Sequence, residues 1–140
     1  YDIVLAAQSA RLQLAFVRVA LGPDCGLSWL LPRLVGQARA LGMALTADLI
    51  DAAQAQRWGL IWRAVDDASL SSEADTLARQ LAEGSQPALR AIKQRLRASA
   101  TETLDASLTA ESIAQGRLGR GADYREAVDA FMSRRKPRFA

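Results

Sequence analysis

The sequence predicts an α/β layer with few short strands followed by an α-helical tail, and three observations predict it. Short apolar runs rich in β-branched and aliphatic residues, at 2–7 and 60–65, have the length and composition of buried strands. The stretches between them, at 27–34, 37–45 and 52–58, read as short helices. Past Asp66-Asp67 the character changes, and the chain reads as helix after helix. The boundary is therefore placed at residue 67, with 1–67 forming an α/β core and 68–140 a helical tail.

In chain order, residues 2–7 form a buried parallel strand and Gln8-Ser9-Ala10-Arg11 turns the chain. Leu12, Leu14 and Phe16 alternate with Gln13 and Ala15, the pattern of a second strand with one apolar face. Residues 27–34 are apolar enough for a buried helix, which Pro32 kinks or ends because proline removes an intrahelical hydrogen bond. Gly36 is placed to stop it. Leu41 and Leu45, four apart, mark the amphipathic helix at 37–45, and Thr46-Ala47-Asp48 closes it. Asp51 caps 52–58, with Gly59 at the C-terminal end, and 60–65 is the last strand.

In the tail, Leu70, Ala74, Leu77 and Leu81 keep one face over 69–83, and Leu89, Ile92 and Leu96 keep one over 86–98. Ser85 caps the latter, with Pro87 tolerated in its first turn. Leu104, Leu108 and Leu118 line a third helix from about residue 101, and Asp123 and Glu126 resemble a capping box that opens a fourth, burying Val128, Phe131 and Met132. Four amphipathic helices after three short strands leave apolar surface over for subunit packing.

Composition narrows the function. At 140 residues, half of them apolar, the chain is one domain's worth with enough material for a core. No run approaches the roughly 20 apolar residues that cross a bilayer, so no membrane role is expected. A single cysteine excludes an intramolecular disulfide and suits the cytoplasm. With no histidine there is no His-dependent triad or His-based metal site, and one cysteine among scattered carboxylates makes no metal site either. The net charge is +3 and the pI near 9.6, with the excess concentrated in Arg134-Arg135-Lys136-Pro137-Arg138. That run reads as a solvated tail. The aromatics are spaced as core residues rather than as stacking platforms, so no nucleic-acid partner is expected. The chain opens directly on a buried-looking strand with no initiator Met, as though cut inside a fold.

The stretch that points to chemistry is Gly22-Pro23-Asp24-Cys25-Gly26-Leu27. Proline fixes φ at the turn's entry, Gly26 frees the backbone behind it, and Asp24 stands between two apolar runs. Two roles are open to that carboxylate: a helix N-cap, or a proton shuttle at the mouth of an apolar layer. They predict opposite pKa shifts. Burial beside Phe16, Leu21, Leu27 and Trp29 raises an acid's pKa, whereas capping N–H groups and the helix dipole lower it. Cys25 has no histidine to activate it and reads as a small packing residue.

The same stretch, with Asp2-Ile3-Val4-Leu5-Ala6-Ala7 before it and Leu31-Pro32-Arg33-Leu34-Val35-Gly36 after it, resembles the enoyl-CoA hydratase/isomerase (crotonase) superfamily. Ala38-Arg39-Ala40-Leu41, Trp58-Gly59-Leu60-Ile61 and the closing Ala130-Phe131-Met132-Ser133-Arg134 fall in the family's order, so the resemblance covers nearly the whole chain. Pro-Asp in the turn and Ala122-Asp123-Tyr124-Arg125-Glu126 before the last helix are similar to the subgroup that isomerises ring-epoxidised phenylacetyl-CoA in aromatic degradation.

The resemblance implies the C-terminal part of a crotonase-like ββα spiral, with a helical tail that packs between subunits of a trimer or hexamer and caps coenzyme A. It also implies that the family's oxyanion-hole N–H groups belong to a part preceding Tyr1, and that this fragment alone is inactive. Hydratases of the family orient water with two glutamates; one would precede Tyr1 and the other falls on Phe16, which cannot activate water. The isomerase-like branch keeps a single acid at the Asp24 position. The implied activity is isomerisation of an acyl-CoA double bond or ring epoxide, with Asp24 as acid/base and no cofactor beyond the coenzyme A of the substrate. Phe16, Leu27 and Trp29 would border the acyl group, and Leu27, standing where the family usually has glycine, would reshape that pocket. Phe131 and Arg134 fall where relatives reach a neighbouring subunit's coenzyme A, and the basic terminus would meet its phosphates. Two rivals stand beside this reading: a dehalogenase-like relative in which the aspartate is a nucleophile, and a non-catalytic assembly module.

Overall fold

The computed structural model describes residues 2–139 and divides into two compact units between Ala74 and Asp75. In the first unit, β1 (Leu5–Ala7) pairs in parallel with β4 (Arg63–Val65), Leu5 opposite Arg63 and Ala7 opposite Val65. A second pair, β2 (Arg11–Leu12) with β3 (Ile50–Asp51), is antiparallel. The described residues thus hold four very short strands in two sheets, where the sequence pattern suggests three longer ones.

Hydrogen bonding explains the shortening. The N–H groups of Leu60 and Ile61 donate to the Ala55 carbonyl, at 2.9 and 3.5 Å, and so turn the chain instead of extending β4. The alternation at 12–16 is overridden as well. With a two-residue partner in β3 the ladder ends at Leu12, and Phe16 sits in a 3-10 helix, Ala15–Val19, closed by left-handed Ala20 at φ 55°.

Around these strands pack α1 (Leu27–Val35), α2 (Gln37–Thr46) and α3 (Ala52–Arg57). Pro32 does not end α1 but lies within it. The carbonyl that its missing N–H would have paired belongs to Ser28, which faces solvent. Gly36, at φ 83°, ends the helix as the sequence suggests. In α2 the buried pair is Ala40 and Met43, while Leu41 and Leu45 are exposed. Asp51 caps α3, its Oδ1 accepting the Gln54 N–H at 2.7 Å. Leu31, Val35, Met43, Ile50 and Ile61 form the core with the small residues Ala40, Ala52 and Ala55. The Ser9 N–H donates to Asp67 Oδ1 at 3.0 Å, and hydrogen bonding from Ser9 holds that carboxyl below its ordinary range.

α4 (Leu70–Ala82) runs across the division between the units. Beyond it come α5 (Gln86–Ala98), α6 (Leu104–Leu118) and α7 (Ala122–Met132). The Ser85 hydroxyl caps α5 by accepting from the Ala88 N–H, and the Thr103 hydroxyl caps α6 by accepting from the Ala106 N–H. Arg95, in α5, ties down the connection to α6 by donating from both of its terminal nitrogens to the Glu102 carboxylate, at 3.0 and 3.2 Å.

The expected capping box at α7 does not form. Gly121 is the N-cap without a side-chain bond, Asp123 accepts the Ser85 hydroxyl at 2.6 Å, and Glu126 is taken by the C-terminal segment. Nor does α7 bury Val128, Phe131 and Met132 within the unit. The small Ala130 is the buried residue, and Phe131 is 81% exposed.

Candidate functional site: the Asp24 turn

The backbone builds the turn in three steps. Left-handed Ala20 reverses the 3-10 helix and the Leu21 N–H closes onto the Phe16 carbonyl at 3.0 Å. Pro23 then holds the approach to Asp24. The Asp24 carbonyl accepts the Leu27 N–H at 2.8 Å, across Cys25 and Gly26, which are both left-handed at φ 49° and 80°. A side chain at Gly26 would have space, its nearest neighbour being Leu30 Cδ1 at 4.0 Å; backbone conformation is what asks for glycine there.

Of the two roles open to the Asp24 carboxylate, the structure removes the cap. Gly26 is the N-cap of α1 and receives no side-chain bond. Asp24 is exposed, and its carboxylate has no hydrogen-bond or ion-pair partner among the described residues. The apolar enclosure expected around it is not built by these residues either: Leu21 and Trp29 are exposed, and only Phe16 and Leu27 are partly buried. Cys25 is exposed rather than packed.

Phe16, Asp24, Leu27 and Trp29 all lie in the first unit, along the 3-10 helix, the turn and the first residues of α1. Trp29 carries a feature the sequence reading passed over. The Arg33 guanidinium lies 3.8 Å from its ring centroid, and Arg33 Nη1 donates to the Trp29 carbonyl at 2.8 Å. The i,i+4 spacing of an aromatic and an arginine on one helix was the signal for it.

Phe131 and Arg134 belong to the second unit, where both are exposed; Arg134 follows α7 at φ 50°, its N–H on the Phe131 carbonyl. The basic tail around them is not uniformly free. Arg135 is committed to Glu126 and Lys136 to Glu83, whose carboxyl the lysine's hydrogen bond holds low. The Arg134 side chain has no such partner among the described residues. No group of three His, Cys, Asp or Glu side chains that could hold a metal occurs among the described residues, and no described helix is long and apolar enough to cross a membrane.

The family model for enoyl-CoA hydratase/isomerase matches residues 1–140. The chain belongs to the enoyl-CoA hydratase/isomerase family. It is 49% identical over 138 residues to the 1,2-epoxyphenylacetyl-CoA isomerase of Escherichia coli K12, a match covering 99% of this chain and 53% of that protein. To the 2,3-dehydroadipyl-CoA hydratase of the same organism it is 34% identical, covering 99% and 54%. The crystal structure of the enoyl-CoA hydratase from Bacillus anthracis superposes with a TM-score of 0.92 at 30% identity, covering 99% of this chain and 54% of that one. The mostly helical architecture with few short strands is thus that of the crotonase-like fold. The chain spans about half the length of these relatives.

Proposed function

We propose that this chain is part of an acyl-CoA isomerase that uses Asp24 as its acid/base. The observation that carries the reading is the state of that carboxylate. It is accessible, free of any described protein partner, and held on a turn whose backbone bonds are complete without its side chain. A carboxylate so placed can take a proton from a carbon activated by a thioester carbonyl, leaving an enolate, and return the same proton at another carbon of the conjugated system. No water is added. The phenyl group of Phe16, where the resemblance sets a hydratase glutamate, favours isomerisation over hydration. The 49% identity to an isomerase supports it further.

In this reading the donors that stabilise the enolate oxygen come from the part of the fold that the resemblance places before Tyr1. Phe16, Leu27 and Trp29 border the acyl group, and Phe131 and Arg134 serve the coenzyme A held by a neighbouring subunit; coenzyme A enters as part of the substrate. The substrate is an acyl-CoA of the ring-epoxide or enoyl type, the setting aromatic degradation in the cytoplasm, and the assembly a trimer or hexamer. The exposed Ile92, Leu96, Ile113, Phe131 and Met132 are the apolar surface such an assembly would cover.

The test is Asp24→Asn in a protein spanning the full length of the relatives. Turnover of an acyl-CoA substrate should fall by roughly 100-fold to 10,000-fold with binding little changed, the usual worth of a positioned acid/base. A near-wild-type rate removes the assignment.

A further inference from the structure

Leu14 packs the segment that carries Phe16 and leads to Asp24 against the core, and the described long-range hydrogen bonds of that segment converge on one acceptor. Gln13 Nε2 and Arg18 Nη2 both donate to the Ala47 carbonyl, at 2.7 and 3.0 Å, across 34 and 29 residues of sequence. The other described hydrogen bonds between Gln13 and the start of α1 are local, spanning no more than five residues. Ala47 is fully buried and left-handed at φ 51°, directly after α2. Its carbonyl therefore lies at the negative end of a helix dipole, where a buried acceptor needs donors and a cation is favoured. The Gln13 amide and the Arg18 guanidinium supply both.

We infer that Gln13 and Arg18 are positioning residues: by joining the Ala47 carbonyl they set the 3-10 helix against the end of α2, and so place Phe16 and the Asp24 carboxylate for the reaction. The inference rests on the proposed role of Asp24. Neither residue touches the reacting atoms. Asp24 follows Arg18 by six residues, and a displacement of about 1 Å at a reacting group can cost on the order of 100-fold in rate. Anchoring on a helix end gives the turn a rigid reference that its own local hydrogen bonds do not.

The experiment compares Arg18→Met, Arg18→Lys and Gln13→Met with Asp24→Asn in a protein spanning the relatives' full length, reading kcat, KM for the acyl-CoA and melting temperature. Arg18→Met should lower kcat about tenfold or more with KM held within about twofold, and Arg18→Lys, which keeps a charged donor without the planar fork, should restore a large part of the loss. Gln13→Met should lower kcat in the same sense and stands in for Arg18→Met if that variant does not fold. A merely structural role would lower the melting temperature and leave kcat per folded enzyme unchanged; that result overturns the inference. Wild-type kcat in Arg18→Met alongside an inactive Asp24→Asn overturns the positioning role alone. An active Asp24→Asn overturns both it and the proposed function.

Discussion

Glu126 and Arg135 face each other in a two-pronged ion pair, Nη1 to Oε1 at 2.6 Å and Nη2 to Oε2 at 2.9 Å, which folds the C-terminal segment back against α7. The Arg135 hydrogen bonds, followed by the Arg138 N–H at 2.8 Å, pull the Glu126 carboxyl from its ordinary 4.5 down to about 2, against a smaller opposing effect of burial. A carboxyl depressed on folding stabilises the folded state above its unfolded pKa and loses that contribution as pH falls through the folded one. The melting temperature should therefore decline between about pH 4.5 and 2, and Glu126→Gln should lose that part of the decline while starting lower at neutral pH. Superimposable pH profiles for the two proteins would contradict the assignment.

Asp24 and Asp51 are both aspartates before a helix, but only Asp51 caps one. Asp51→Ala should cost about 0.5–2 kcal/mol, the usual worth of an N-cap. Asp24→Ala should stay within about 0.5 kcal/mol, as for a surface change that breaks no feature. Denaturant titration of both variants checks the contrast, and equal losses would restore a structural role to Asp24.

Gly26 is held at φ 80° with no atom in the way of a Cβ nearer than 4.0 Å. Gly26→Ala should destabilise by about 1 kcal/mol through backbone strain alone. Gly22, which has nothing within 4 Å and no positive φ, should accept alanine freely. A stabilised Gly26→Ala in thermal melts would show that the turn relaxes.

Phe131 and Met132 are 81% and 75% exposed at the end of α7, more than isolated surface residues need be. In a protein spanning the relatives' full length, light scattering at micromolar concentration should give a trimer or a pair of trimers, and Phe131→Glu should shift it towards monomer. A monodisperse monomer before substitution ends the assembly proposal.

Local signals in the sequence carried far where one side chain decides a boundary. Ser85 and Pro87 open α5, Asp51 opens α3, and Gly36 ends α1, because each acts on backbone within a few residues. Patterns that depend on a remote partner misled. The alternation at Leu12, Leu14 and Phe16 needs a long strand beside it, and β3 supplies two residues. Asp123 and Glu126 have the spacing of a capping box, yet a hydroxyl 38 residues away and a guanidinium nine residues away take them. The same division holds at the candidate site. Pro23, Asp24 and Gly26 announced the turn, but its anchor at Ala47 lies 29 residues beyond Arg18 and leaves no local trace.

Cys25 stands one residue from Asp24, exposed, and is the only thiol in these 140 residues. Within these residues a maleimide dye would attach at a single known position, on the left-handed backbone of the turn rather than on a helix. On the proposed function, in which the turn borders the substrate, fluorescence from that label should change as acyl-CoA is added, giving a titration that needs no turnover. An unchanged signal at saturating acyl-CoA would count against that placement.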